Sequence, residues 1–262
     1  MKKIIFIALL LLIDFFAVRL PIKAQVKDSD VGVVAARKAR DRADVEELQK
    51  MVAQAKQEAA GRNSFEAYLR LALYQSWLCE ALESREQNEK LFKQAAEEGV
   101  AAAEKAVELN PQSSEAHQLL GDLLNQLIPH VFGGGMRYGK RATDAMDKAL
   151  ELDPKNVSAY VSRAISYYYT PDSFGGSKTR AFELLKQAVG IDPQEDSPHI
   201  WLALFYMDAN RKEEALAEIL LARKANPDRV FTNYVYRQIT GNQDGKRAPE
   251  APVKKSSGTK TN

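Results

Sequence analysis

Apolar residues along the middle of the chain recur every three or four positions with polar residues between them, a pattern typical of amphipathic helices. This spacing predicts a capping helix over 31–60 and a long helical pair over Phe65–Leu82 and Gln87–Leu109. A last periodic segment, Val230–Ile239, ends before Gly241 and predicts a C-terminal capping helix. The pattern therefore predicts an all-α fold.

Four similar phrases ending in proline recur along the chain at intervals of 43, 39 and 34 residues. They are Ala106–Pro111, Ala149–Pro154, Ala188–Pro193 and Ala222–Pro227. A small residue precedes each proline by twelve positions, namely Gly99, Ala142, Ala181 and Ala215. Over residues 65–227 this pattern resembles the tetratricopeptide (TPR) repeat, a helix–turn–helix unit of 34 residues. The resemblance implies an α-solenoid of about four TPR-like helical hairpins with N- and C-terminal capping helices, because a single hairpin cannot bury its own apolar face.

Two units exceed the usual repeat length, and the excess of each lies in the turn between its helices. Both turns contain a proline followed three residues later by Phe-Gly-Gly, which we call the Phe-Gly-Gly turns: Phe132, Gly133 and Gly134, and Phe174, Gly175 and Gly176. In one interpretation each phenylalanine folds back as an anchor and the glycines allow a tight re-entry into the next helix. In the other, the two turns form one rim of a ligand cleft.

These turns, with the K/R-x-A helices that follow them, resemble the periplasmic T component (TatT) of TRAP transporters, mainly over residues 112–193. That resemblance implies a role beside a substrate-binding partner in handling apolar or organic-acid ligands. TatT proteins are lipoproteins, and this chain has no lipidation cysteine after its apolar N-terminal segment.

The TPR resemblance also implies which side chains line the concave groove. In the second unit they form a polar strip of Glu115, Gln118, Asp122 and Asn125. In the third and fourth units the predicted binding strip is largely apolar and includes Val161, Ile165, Tyr168, Ile200, Leu204 and Met207. Such a strip suits an amphipathic helix or a hydrophobic small molecule, unless the C-terminal cap fills it from within.

Composition excludes several classes of function. The chain has 262 residues, 45% of them hydrophobic, and basic residues concentrate at both ends, so that 25–241 is net acidic and no nucleic-acid partner is expected. One cysteine (Cys79) and three histidines give no disulfide and no ligand set for a metal. No nucleophile–base arrangement is present, so we predict neither an enzyme nor a cofactor.

The two ends of the chain look unlike the repeats. Lys2 and Lys3 precede the apolar run Ile4–Ile13, which predicts a removable export signal over 1–24 and a periplasmic or secreted protein. An uncleaved signal anchor is the alternative and would be the only membrane contact. Residues 25–241 form the predicted repeat domain, and 242–262 are predicted to be a disordered basic tail.

The sequence therefore predicts an exported scaffold that binds a protein or peptide partner through its concave groove. The alternative is a TatT-like component that encloses an apolar small molecule. A closed cavity lined by Ile165, Tyr168 and Leu204 would favour the second hypothesis, and an open groove the first.

Overall fold

The computed structural model describes residues 30–84 and 88–241, and every regular element within these ranges is helical. The α-helices are α1 (Val31–Asp41), α2 (Val45–Arg62), α3 (Phe65–Ser84), α4 (Glu89–Leu109), α5 (Ser114–Leu127), α6 (Gly134–Leu152), α7 (Val157–Tyr169), α8 (Lys178–Ile191), α9 (Asp196–Asp208), α10 (Lys212–Ala225) and α11 (Val230–Thr240). Short 3-10 turns at Ile128–His130 and Asp172–Phe174 follow α5 and α7. The predicted export signal and basic tail lie outside the described residues.

The helices form four antiparallel hairpins, α3 with α4, α5 with α6, α7 with α8, and α9 with α10. The first helices of successive hairpins, α3, α5, α7 and α9, also contact one another in order, which stacks the hairpins side by side. At one end α1 and α2 pack on α3, and at the other α11 packs on α9 and α10. The predicted all-α solenoid with two caps is confirmed.

Small residues at the repeated positions explain how closely the hairpins pack. Ala142, Ala181 and Ala215 are fully buried, and Gly99 in α4 is buried as well. A Cβ at Gly99 would lie 2.9 Å from the Cβ of Gln75 in α3 and 2.7 Å from Leu123 Cδ2 in α5, so these neighbours would have to shift. The interval of twelve residues before each proline therefore marks the contact between neighbouring helices.

The N-terminal cap differs from the prediction of one helix over 31–60. It consists of two helices, because the chain turns at Ala43, which has a left-handed φ of 49°. Asp44 then caps α2, and its Oδ1 accepts a hydrogen bond of 3.1 Å from the backbone N–H of Glu47. Asp44-x-x-Glu47 matches the capping pattern that marks the start of a helix, and the hydrophobic periodicity alone did not reveal this break between α1 and α2. None of the helices in 30–84 and 88–241 combines the length and apolar content needed to span a bilayer.

Candidate functional site

The inner helices of the stack enclose a channel with a volume of about 1750 Å³. Its walls come from α3, α5, α7 and α9, and α1, α6 and α11 contribute further lining residues. All four members of the predicted polar strip of α5 line it: Glu115, Gln118, Asp122 and Asn125. Aromatic side chains lie among the polar ones, namely Trp77, Tyr169, Trp201, Phe231 and Tyr234.

Asp122 lies on the floor of this channel between two serines. Ser162 Oγ donates to Asp122 Oδ1 at 2.8 Å, and Ser76 Oγ donates to Oδ2 at 3.3 Å. Gln126 Nε2 donates to Ser76 Oγ at 3.3 Å, which leaves Gln126 Oε1 buried without a partner. Burial raises the pKa of the Asp122 carboxyl, and Glu80 adds to this rise, whereas the two serine hydroxyls oppose it. Asp122 therefore accepts hydrogen bonds from two hydroxyl groups, but burial still destabilises its ionised form.

A single arginine joins the two ends of the solenoid across the channel. Arg229, just before α11, is only 5% exposed, and its Nη2 lies 2.8 Å from Glu80 Oε1 on α3. Its Nη1 donates to Asp196 Oδ1 on α9 at 2.8 Å and to Ser197 Oγ at 3.0 Å. Burial alone would lower the pKa of Arg229, but the two carboxylates outweigh burial and raise it, so the guanidinium stays charged. The first and fourth hairpins are therefore linked through one buried cation.

The pKa values of two adjacent carboxyl groups beside Arg229 are shifted in opposite directions. Burial and the neighbouring Asp196 raise the pKa of Glu195. Burial acts the same way on Asp196, but Arg229 and Arg40 outweigh it and hold the pKa of Asp196 below its usual range. Glu195 therefore takes up a proton before Asp196, and Asp196 remains the ionised partner of Arg229.

The predicted apolar strip is only partly on the channel wall. Val161 and Ile165 of α7 line the channel, whereas Leu204 and Met207 of α9 pack into the C-terminal part of the core. Ile200 is 1% exposed and lies in that core as well. The face of α9 that lines the channel presents Ser197 and Trp201 instead. Because α9 is apolar around its whole circumference, its pattern carries little information about which face points inward.

Tyr168 was also predicted in the groove, and it lies in the core. Its ring stacks on Phe205 with centroids 3.7 Å apart, and its hydroxyl donates to Asp208 Oδ2 at 2.5 Å. The next residue, Tyr169, lines the channel and is mostly exposed. The channel-facing side of α7 therefore includes Val161, Ile165 and Tyr169, with Tyr168 turned toward α9.

The Phe-Gly-Gly turns share one backbone construction. The first glycine of each has a left-handed φ, 69° at Gly133 and 90° at Gly175. The second glycine of each packs directly against a backbone carbonyl of the preceding turn, Gly134 against Ile128 and Gly176 against Thr170, where a Cβ would not fit. The glycines therefore serve the tight re-entry that was predicted.

The phenylalanines of these turns do not anchor the hairpin ends as one interpretation expected. Phe132 is fully exposed and Phe174 is 78% exposed. The left-handed glycine that follows each ring directs the chain back into the next helix and leaves the ring outside the packed hairpin. Phe174 lines one edge of the channel together with Met136, so the second turn does form part of a rim.

The residues with reactive or metal-binding chemistry are dispersed. Cys79 is buried in α3, and burial raises the pKa of its thiol, so it acts as a small apolar side chain. Within 30–84 and 88–241 no three His, Cys, Asp or Glu side chains come together in a way that could hold a metal ion. His199 is buried against Glu218, with Nδ1 and Oε2 2.6 Å apart, away from the channel wall.

A family model described as "Regulator of microtubule dynamics protein 1-3" matches residues 34–170, just over half of the chain. The chain belongs to this family. The part that matches the regulator of microtubule dynamics model runs from α1 to the end of α7 and includes Asp122 and the first Phe-Gly-Gly turn. A tetratricopeptide-repeat model matches residues 179–232, which confirms the TPR resemblance. Neither model is that of TatT, and the TatT resemblance stays a prediction.

Several solved TPR structures are similar to this chain at low sequence identity. TTC0263, a TPR protein from Thermus thermophilus, is 18% identical and covers 75% of this chain and 98% of its own, with a TM-score of 0.49. MamA is 18% identical and covers 76% and 95%, with a TM-score of 0.43. YrrB, described as a TPR protein with an unusual peptide-binding site, is 15% identical and covers 79% and 90%, with a TM-score of 0.41.

Proposed function

We propose that this chain is a protein-interaction scaffold whose channel holds an extended segment of a partner protein that carries a basic side chain. The TPR fold is consistent with such a scaffold, since stacked repeats present a long concave surface. The channel, at about 1750 Å³, exceeds the roughly 300–1000 Å³ of most small-molecule sites. Its mixture of carboxylates, amides and aromatic rings suits the varied side chains of a peptide.

The observation that carries this proposal is the environment of Asp122. Within the described part of the chain the hydrogen bonds to its carboxylate come from the hydroxyls of Ser76 and Ser162, and no basic side chain pairs with it. Holding such a carboxylate on a channel floor costs folding free energy, as its raised pKa indicates. A lysine or arginine of a partner would favour the ionised form and offset that cost, so binding rather than stability accounts for this residue.

A peptide selection on the immobilised full chain tests the proposal. Peptides enriched from a random displayed library are titrated against the protein, and the fluorescence of Trp77 and Trp201, which both line the channel, reports binding. Asp122→Asn keeps the shape of the side chain and removes its charge. Since a hydrogen bond to a charged group is worth about 1.5–3 kcal/mol, we expect affinity to fall about 10- to 150-fold.

The matched control is Glu108→Gln, which removes a carboxylate from the exposed pair with Lys105 on α4, outside the channel. It should leave affinity unchanged. Asp122→Asn should melt no lower than the parent chain, so that weaker binding cannot be attributed to unfolding. Peptides without Lys or Arg that bind both proteins equally well would contradict the proposal.

A TatT-like role with an apolar small molecule is the alternative hypothesis. The turns that suggested it do border the channel at Phe174. Against it, Tyr168, Ile200, Leu204 and Met207 are absent from the channel wall, so much of the expected apolar lining is missing. Native mass spectrometry of the full chain separates the two: a retained mass of a few hundred daltons would favour the small molecule.

We also propose that residues 1–24 direct export, on the strength of Lys2, Lys3 and the apolar run that follows. The family name points to regulation of microtubules, and regulation through protein contacts agrees with a scaffold. Because an exported chain would not meet microtubules inside the cell, microtubules are not part of the proposal. Fusion of the chain to a reporter active only outside the cytoplasm, with and without residues 1–24, tests export directly.

A further inference from the structure

Large apolar side chains protrude from the edge of the solenoid where the first helices of the second and third hairpins end. We call Phe132, Met136, Tyr169 and Phe174 the aromatic rim; all four are among the large apolar side chains that the structure leaves exposed. Phe132 is fully exposed and Met136 is 88% exposed. Apolar side chains that stay in water contribute no burial free energy to folding. Their exposure is therefore better explained by an interaction with another surface.

The rim residues come from two hairpins but share one edge of the molecule. The ring of His130, in the turn after α5, lies 4.2 Å from that of Phe92 at the start of α4. Lys178 at the start of α8 lies 3.0 Å from Asp208 at the end of α9. Between these two contacts, Arg163 of α7 donates to Asp147 and Thr143 of α6, which places the end of α7 beside the start of α6. Met136, Tyr169 and Phe174 accordingly line the same channel, so the rim residues of the two hairpins lie on one edge.

This edge is basic. Residues 128–141 and 170–180 contain Arg137, Lys140, Arg141, Lys178 and Arg180 against the single acid Asp172. Neither α6 nor α8 has an acidic residue in its first turn, although acids stabilise the N-terminal end of a helix and cations do not. The turns at the opposite edge carry Asp153, Asp192, Glu195 and Asp228 against Lys155 and Arg229. The aromatic edge is therefore the more basic of the two.

Three of the five basic side chains on this edge pair with acids, Lys140 with Asp144, Arg141 with Glu104 and Lys178 with Asp208, and all three pairs are exposed to solvent. Lys140 contacts Asp144 at 2.5 Å, yet its side chain is 85% exposed. Lys178 contacts Asp208 and is also mostly exposed. Exposed pairs of this kind contribute about 0–1 kcal/mol and exchange readily for another anion.

We propose that the aromatic rim docks on the surface of an anionic lipid bilayer. Aromatic and apolar tips enter the headgroup region of a bilayer, and surrounding Lys and Arg are attracted to anionic lipids. A protein partner would be anchored in a packed pocket, whereas Phe132 and Phe174 project from separate turns, which suits insertion into a deformable surface. Docking in this way would turn one mouth of the channel toward the membrane, because Met136, Tyr169 and Phe174 line that mouth.

Vesicle co-sedimentation of the full chain tests the proposal. Vesicles of phosphatidylcholine with one third phosphatidylglycerol are compared with vesicles of phosphatidylcholine alone. The double variant Phe132→Ser/Phe174→Ser should bind the anionic vesicles at least about tenfold more weakly, given the transfer free energy of two phenylalanines. Leu220→Ser, at an exposed apolar residue of α10 outside the rim, should bind like the parent chain.

A second readout is independent of the apolar N-terminal segment, which is common to all of these variants. Phe174→Trp adds an indole to the rim, while Trp77 and Trp201 provide the baseline emission of the parent chain. Lipids brominated near the headgroup should quench Phe174→Trp more strongly than the parent chain, and added salt should weaken this quenching.

Three outcomes would overturn the proposal. One is equal vesicle binding by the double variant and the parent chain without extra quenching at position 174. Another is equally strong binding to neutral vesicles. The third is a shift from dimer to monomer in the double variant, measured by light scattering without lipid, which would assign the rim to a second copy of the chain.

Discussion

Replacing Arg229 with methionine should destabilise the whole solenoid, because this side chain joins its first and fourth hairpins. Arg229 is 5% exposed and contacts two carboxylates, those of Glu80 and Asp196, and Asp196 is equally buried. Methionine fills a similar volume but leaves both carboxylates without their cation. Removing one partner of a buried ion pair costs about 3–5 kcal/mol. At about 2–4 °C per kcal/mol for a domain of this size, Tm should fall by roughly 6–20 °C.

Circular dichroism at 222 nm during thermal and urea unfolding measures this loss, and hydrogen exchange locates it in α11 and the end of α3. The matched control is Arg62→Met, which removes an exposed (i,i+4) pair with Glu58 and should cost less than about 1 kcal/mol. The triple variant Glu80→Gln/Asp196→Asn/Arg229→Met removes all three charges together. It should recover most of the stability, since the cost arises from unpaired buried charge.

The pH dependence of the parent chain gives a further check. Arg229 and Arg40 outweigh burial and lower the pKa of Asp196, so this carboxylate stabilises the folded state above the ordinary Asp value of about 4. That contribution is lost as pH falls through the lowered folded-state pKa. An unfolding free energy of Arg229→Met within about 1 kcal/mol of the parent, or a triple variant no more stable than the single one, would refute this role of Arg229.

Further predictions concern the turns and one buried histidine. Gly176→Ala should lower the free energy of unfolding in urea by more than about 2 kcal/mol, because its Cβ would meet a backbone carbonyl. The control Gly135→Ala has open space around it and should leave the free energy of unfolding unchanged or raise it by up to about 1 kcal/mol. Equal effects of the two substitutions would contradict this account of the turns. The hydrogen bond that His199 Nδ1 donates to Glu218 raises the pKa of His199, so the pair stabilises the fold below about pH 6.5 and loses this effect as pH rises through the folded-state pKa. His199→Gln should therefore lose about 1.5–3 kcal/mol at pH 6 and much less at pH 9, and a control His117→Gln that behaves in the same way would sink the argument.

Local sequence signals determined the architecture of this chain. Proline ends each second helix and a small residue stands twelve positions before it, so the hairpins and their stacking followed from residues close in sequence. The polar strip of α5, including Asp122, was placed correctly because α5 has one clearly apolar face and one polar face. The glycines of the Phe-Gly-Gly turns were also interpretable, since positive φ and close backbone contact are local requirements.

Features that depend on how the stack curves were decided only by the tertiary structure. Arg229 and Glu80 are 149 residues apart in sequence, and they meet because small rotations between successive hairpins add up until the two ends face each other. The inner face of α9 was missed because a helix that is apolar all round has no stripe to mark its orientation. Exposure of Phe132 and Phe174 likewise depends on what surrounds each turn. The periodicity of the sequence reflects how each helix packs on its neighbour. Which side chains line the channel depends instead on the sum of the packing angles along the whole stack.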